Sequence, residues 1–227
     1  MERAVRVREG KDGRELRISG TLASLYRPGL PTTGLIWDAL AAPITLIPPV
    51  RRRSILILGL GGGSVARVAR ALAPKARIVG VELGSEVVDI ARRRLDLDAL
   101  SLDVRIGDAR EFLFAERGRY DAVIEDVFMG STRDVRKPDW LLDEGYGQAA
   151  ALLRAGGVFV SNTIAETVPV TRRLRGLFPS LVWIGTREYE NRMVVGGAAL
   201  DAGRVRQAVA AEPLLAEVLP KLTFRSV

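Results

Sequence analysis

Residues 55–64, Ile55-Leu56-Ile57-Leu58-Gly59-Leu60-Gly61-Gly62-Gly63-Ser64, decide how the rest of the chain is read. The apolar run Ile55–Leu58 reads as a strand. The glycines at 59, 61 and 63 let the backbone turn tightly and leave it bare where a ligand would approach, and Ser64 opens an amphipathic segment. Glu82 closes the next apolar run, 23 positions after Gly59. A carboxylate there can accept both hydroxyls of a ribose. A glycine loop by itself also fits a ligand-free turn, so the weight rests on the loop, Glu82 and the strand order together.

Outward from that loop the chain keeps one rhythm. Short β-branched runs at Ile55–Leu58, Ile78–Val81, Val104–Ile106, Ala122–Glu125 and Val158–Asn162 alternate with amphipathic segments near 64–73, 85–95, 109–116 and 142–154. Such alternation predicts parallel strands joined by right-handed crossovers, an α/β doubly wound sheet. A helix near 166–178 leads to two more runs, Leu181–Ile184 and Arg192–Val195. Only Gly185–Asn191 separates them, too short for a crossover helix, so they are expected to pair antiparallel. The prediction is a mostly parallel seven-stranded sheet over residues 51–227, in an order that resembles class I AdoMet-dependent transferases, ending in one or two helices. Residues 1–50 read as a smaller piece. It holds a β-hairpin turning at Gly10-Lys11-Asp12-Gly13, an irregular crossing over 20–34, and a short apolar helix around Ile36–Leu46.

Composition narrows the chemistry. The 227 residues include no Cys and no His, which excludes disulfides, thiolate or imidazole metal sites and a Ser-His-Asp hydrolase. A base must be Asp, Glu, Tyr or Lys, and no metal site is expected. The 34 Lys and Arg against 27 Asp and Glu give a net charge of +7. These cations are scattered, and the blocks Arg51-Arg52-Arg53 and Arg92-Arg93-Arg94 suit a connection and a helix C-terminus. With 6% aromatic residues the chain lacks a base-stacking platform, so nucleic acid is not the expected partner. The longest apolar stretch, 35–50, is broken by Asp38, Pro43, Pro48 and Pro49, so no membrane span is expected. The charged start MERAVRVREG is no secretory signal, and a soluble cytoplasmic protein is the expectation.

Two more strand ends carry candidate site residues. Asp108, in Gly107-Asp108-Ala109, can accept from an adenine amino group while the Ala109 N–H reaches a ring nitrogen; Asp108 also suits a helix N-cap. Asp126 ends the fourth strand, at the crevice where open α/β sheets bind ligands. Alternation turns its neighbour Glu125 to the opposite side.

Gly59-Leu60-Gly61-Gly62-Gly63, Val81-Glu82-Leu83, Gly107-Asp108-Ala109-Arg110-Glu111-Phe112-Leu113, Tyr120-Asp121-Ala122-Val123-Ile124-Glu125-Asp126 and Leu153-Arg154-Ala155-Gly156-Gly157-Val158 resemble the spermidine synthase (polyamine aminopropyltransferase) family. The resemblance covers roughly 53–162 well. It implies an S-adenosylmethionine or decarboxylated S-adenosylmethionine site on Gly59, Gly61, Gly62, Gly63, Glu82, Asp108, Ala109 and Asp126. Glu82 would hold the ribose, Asp108 and Ala109 the adenine, and Asp126 an amine. Asp126 is the expected catalytic residue, with Tyr26 and Tyr146 as catalytic helpers and Asn162 beside them.

The departures concern the acceptor. The family has Asp where this chain has Gly62, and a second acid where it has Met129. The family's Tyr-Gln pair is Tyr26-Arg27 here, and its Tyr-His-Glu segment is at best Ile36-Trp37-Asp38. The loop 127–141 reads as a lid with a mild cationic bias: Arg133, Arg136 and Lys137 against Asp134 and Asp139. These losses favour methyl transfer to a small-molecule amine or hydroxyl. The alternatives are aminopropyl transfer to a diamine and a non-catalytic nucleoside-binding module. A homodimer through apolar surface at 36–46 and the terminal helix is also expected.

Overall fold

The structure is a computed structural model that describes residues 4–131 and 134–227. An eight-stranded sheet carries the fold. Its strands are β4 (Ser54–Leu58), β5 (Arg77–Glu82), β6 (Asp103–Ile106), β7 (Tyr120–Glu125), β8 (Leu153–Thr163), β9 (Ser180–Thr186), β10 (Arg192–Gly197) and β11 (Leu222–Ser226), ordered β11-β9-β10-β8-β7-β4-β5-β6. From β6 to β8 all pairings are parallel, and β10 lies antiparallel between β8 and β9. The α/β doubly wound sheet predicted from the alternation is therefore present, with one strand more than the seven expected. That strand, β11, replaces part of the expected helical ending. It follows Pro220 closely and is held by its pairing with β9, a long-range partner that no local pattern announces.

Why β4 sits centrally follows from its sequence: Ser54–Leu58 is buried at every position. Ile55 and Ile57 pack into one core layer, with Trp37, Val65 and Val68, whereas Leu56 and Leu58 pack into the other, with Leu113, Tyr146 and Phe159. The layers are built by α1 (Ile36–Ala41), α2 (Ser64–Leu72) and α3 (Ser85–Arg94) on one side, and by α4 (Ala109–Ala115), α5 (Tyr146–Ala151) and α6 (Thr167–Arg175) on the other. Helix α7 (Ala202–Ala210) joins the first layer through Val205 and Val209. The helix expected over 142–154 is shorter. A π-helical turn at Leu141–Gly145 precedes α5, and the chain enters β8 already at Leu153.

The N-terminal hairpin, β1 (Val5–Gly10) and β2 (Gly13–Ile18), gains a third strand, β3 (Thr21–Tyr26), where an irregular crossing was expected. The Gly20 and Pro28-Gly29 breaks bound this strand rather than interrupt it, and a bulge at Leu16/Arg17 shifts its register. The apolar segment 36–46, expected as exposed dimer surface, is instead core: Trp37, Ala39, Leu40 and Ile44 are buried against the first layer. Among the described residues no helix is long and apolar enough to cross a membrane.

Candidate active site

The C-terminal ends of β4, β5, β7 and β8 open into a cavity of about 730 Å³. Gly59 sits there at φ 81°, and a Cβ on it would meet the Asp126 carbonyl oxygen at 2.5 Å. Only glycine allows the first loop and the end of β7 to close on each other here. Glu82 is 8% exposed at the tip of β5. Its Oε2 accepts the Gly61 N–H at 2.8 Å and its Oε1 accepts the Gly84 N–H at 3.0 Å. Each oxygen can accept a further hydrogen bond, and the two N–H groups fix the carboxylate before any diol arrives. Asp108 caps α4, its Oδ1 accepting the Arg110 N–H at 2.7 Å. Capping and ligand binding are compatible, because Asp108 and the nearly buried Ala109 both line the cavity.

Asp126 stands on the same wall. Asn162 on β8 donates its Nδ2–H to Asp126 Oδ1 at 2.7 Å, and Asn191 donates to Asn162 Oδ1 at 3.0 Å, which fixes the amide's orientation. The Trp37 indole also donates to Asp126. Burial pushes the Asp126 carboxyl up to about 7, and Glu125 adds to that, against the opposing pull of Lys137, Asn162 and Trp37. In a chain without histidine, this gives a carboxylate the proton affinity usually supplied by an imidazole.

Other expected residues lie elsewhere. Gly62 and Gly63 do not line the cavity. A Cβ on Gly62 would meet Leu95 Cδ1 at 2.6 Å and Ser24 Cβ at 2.9 Å, and one on Gly63 would meet Leu97 Cδ1 at 2.6 Å. These two glycines serve packing: β3 comes so close that Ser24 Oγ accepts the Gly62 N–H at 2.7 Å. Gly62→Ala is accordingly expected to destabilise the fold by roughly 1–3 kcal/mol, as overpacking does, with donor affinity little changed. Denaturant melts paired with ligand titration check both halves. Tyr26 does not line the cavity either; its ring lies under the Arg67 guanidinium, 4.5 Å from the centroid. Tyr146 is wholly buried behind the sheet, its hydroxyl 3.3 Å from Glu125 Oε2 and 3.1 Å from Ser161 Oγ. That environment pushes its phenol well above the ordinary value through burial and the Glu125 charge. Neither tyrosine is placed to touch a ligand in the cavity.

Within the described part of the loop over 127–141, Met129 and Arg136 exchange backbone hydrogen bonds of 2.8 and 3.0 Å. Among the described residues, none of the cations behind its expected mild positive bias lines the cavity. Lys137 turns inward to Glu125, Arg136 pairs with Asp134, and Arg133 lies outside the described residues. Asp139 lines the cavity, exposed and free of any protein ion pair among the described residues. Trp37, Asp139 and Asn191 join the site without having been expected as site residues; the signals were Trp37's alignment with the family's Tyr-His-Glu segment and Asp139's place in the loop read as a lid.

The wall therefore carries four carboxylates, Glu82, Asp108, Asp126 and Asp139, and among the described residues no lysine or arginine. The loop N–H groups are also taken. Gly59 and Leu60 donate to the Val81 carbonyl, Gly61 to Glu82, Gly62 to Ser24 and Gly63 to the Leu60 carbonyl. Among the described residues no cluster of three or more potential metal-binding acids is present.

A family model described as a methyltransferase domain matches residues 55–157. The chain is 33% identical over 132 residues to a probable polyamine aminopropyl transferase of Bifidobacterium longum, covering 57% of this chain and 28% of that protein. It is 31% identical over 118 residues to catechol O-methyltransferase of Mus musculus, covering 49% and 43%. The chain thus spans less than half the length of these two relatives. The structure of a probable spermidine synthase from Corynebacterium glutamicum superposes with a TM-score of 0.78 at 20% identity, covering 99% of this chain and 88% of that one. Human methyltransferase-like protein 13 in complex with SAH gives 0.66 at 20% identity, covering 82% and 92%. The fold is that of the class I AdoMet-dependent methyltransferases. Over about half of its length the sequence is similar to that of a polyamine aminopropyl transferase, and the fold as a whole is similar to that of a spermidine synthase.

Proposed function

We propose that this chain is an AdoMet-type transferase that alkylates an amine, with decarboxylated AdoMet as the preferred donor and a diamine or similar polycation as acceptor. The observation that carries this reading is the charge of the cavity: four carboxylates, no facing cation among the described residues, and a glycine loop whose N–H groups are all engaged. A donor bearing an α-carboxylate would bring a further negative charge to an acidic wall without a partner for it. A single unscreened contact of that kind costs about 4 kcal/mol at 4 Å and intermediate dielectric. A donor that lacks this carboxylate and keeps its ammonium would meet complementary charge.

When bound, the sulfonium supplies an electrophilic carbon and leaves as a neutral thioether. The protein's share is alignment and proton handling. Glu82 and Asp108 would hold ribose and adenine. Asp126, held by Asn162 and Trp37, would accept the proton that the amine nitrogen loses as its lone pair bonds to the carbon. Asp139 supplies from the lid the second acid that Met129 does not, and would hold a distal ammonium.

Methyl transfer is the second reading, favoured by the methyltransferase-domain match over 55–157 and by Met129. Calorimetry under identical conditions separates the two. Decarboxylated AdoMet is expected to bind at least about tenfold more tightly than AdoMet, a gap of about 1.4 kcal/mol. Tighter AdoMet binding would transfer the conclusion to methyl transfer, and binding of neither would leave a fold without this activity. Asp139→Asn is expected to raise the diamine KM about tenfold with donor affinity unchanged, as loss of one charge-assisted contact does.

A further inference from the structure

The buried lysine of the lid has no part in the transfer chemistry, yet it is among the most heavily partnered side chains near the cavity. Lys137 has a fully buried side chain, although its neighbours Arg136 and Asp139 in the same loop are exposed. Its Nζ lies 2.7 Å from Glu125 Oε1 and 3.1 Å from the Val127 carbonyl oxygen, so it grips the residues on both sides of Asp126. The Phe128 ring covers the ammonium at 3.9 Å from the centroid. The grip is anchored at both ends. Glu125 also accepts from the Val127 N–H at 2.6 Å and from Ser161 Oγ at 2.6 Å, and the Lys137 backbone N–H donates to Glu166 Oε1 at 2.9 Å. A solvated surface lysine would need none of these partners; a lysine withdrawn from water needs all of them.

We propose that Lys137 is a positioning residue whose ammonium clamps Glu125 and Val127 around Asp126, so that seating the lid and preparing Asp126 to receive a proton are one event. The inference takes from the proposed function only that Asp126 is the group that meets the acceptor. Its electrostatic logic follows from the arrangement. Glu125 is the negative neighbour that disfavours ionisation of Asp126, and Lys137 answers it. With the lid seated, the Glu125 charge is matched and Asp126 can hold its own. With Lys137 withdrawn, the Glu125 charge would stand unmatched one residue from Asp126, on the other side of the strand, and Asp126 would keep its proton and accept none. Around this centre the other titratable or charged groups among the described residues are Tyr146 on Glu125, Glu166 at the Lys137 amide, and Glu82, Asp108, Asp139 and Tyr189 along the cavity wall. None of these is a cation, so nothing described nearby substitutes for Lys137.

The test follows the Asp126 carboxyl by carbon-13 NMR across pH in the ligand-free full chain, together with amide hydrogen exchange at Met129 and Arg136. In Lys137→Met the Asp126 midpoint is expected to rise by about one pH unit or more, as removal of an adjacent opposite charge does. The lid amides are expected to exchange faster in the same variant. Because Lys137→Met strands a buried Glu125 and can fail to fold, Lys137→Met/Glu125→Gln removes both charges. Its midpoint is expected between those of wild type and the single variant, with lid exchange still fast. Faster lid exchange with an unmoved Asp126 midpoint in a folded variant would reduce Lys137 to an anchor and overturn the proposal. Unchanged exchange at the lid would overturn it equally. Neither readout needs turnover, so a protein that forms no alkylated amine would refute the proposed function and leave this inference to its own result.

Discussion

Asp126→Asn is expected to lower turnover by about 10²–10⁴, the range for losing a general base, while donor affinity stays within about threefold. The asparagine keeps a carbonyl oxygen toward the Asn162 and Trp37 donors but takes no proton from an amine. The same variant should gain stability. In wild type the folded state holds this carboxyl at about 7 against an ordinary 3.8, so ionising it works against folding. The sign follows from proton counts: between about pH 4 and 7 the folded chain binds the proton that the unfolded chain has released. Stability from this group is therefore full below about pH 4, falls as pH rises, and is lost above about 7. The fall is about 1.4 kcal/mol for each pH unit crossed between those limits. Relative to wild type, Asp126→Asn should melt several degrees higher at pH 8, with the difference vanishing toward pH 4. Thermal melts at both pH values check it. An active variant, or one with no pH-dependent gain, would remove Asp126 from its assigned role. In wild type the activity should rise through about pH 7 as the carboxyl becomes able to accept.

Glu82→Gln should weaken donor binding by about 10- to 100-fold, the worth of hydrogen bonds to a charged group. The reason is specific to this loop. Both Glu82 oxygens already receive backbone N–H groups, from Gly61 and Gly84. A glutamine amide would turn its own N–H donors toward one of them, so the variant loses a ribose acceptor and disturbs the loop that presents it. Calorimetry with the preferred donor gives the number. A change within about threefold would mean that the ribose is held elsewhere.

Both targets were legible in the sequence because each ends a strand beside a glycine or an acidic turn, where local pattern and topology coincide. Gly59, Glu82, Asp108 and Asp126 follow from that coincidence, and so does the parallel core from β4 to β8. What escaped depends on approach between distant segments. Strand β3 has weak alternation of its own and is fixed by partners on β2 and by the Ser64 hydroxyl, which accepts the Leu25 N–H at 2.9 Å. Its closeness to Gly62 is what makes that glycine a packing position. Alternation did turn Glu125 away from the cavity correctly, but charge counting along the lid could not show that Lys137 would reach it from twelve positions on. Tyr146 looked available for the same reason: nothing local reports that its hydroxyl meets that ion pair from behind the sheet.

The cavity's four carboxylates are enclosed by a chain whose overall charge is +7. A small polycation approaching from bulk water therefore meets a field that repels it at range and attracts it only at the threshold. Encounter and residence then respond oppositely to dissolved ions: salt hides the outer positive field and hastens arrival, yet weakens the hold once inside. Capture of such a molecule would be fastest and retention poorest at high ionic strength, so its throughput would peak at an intermediate one.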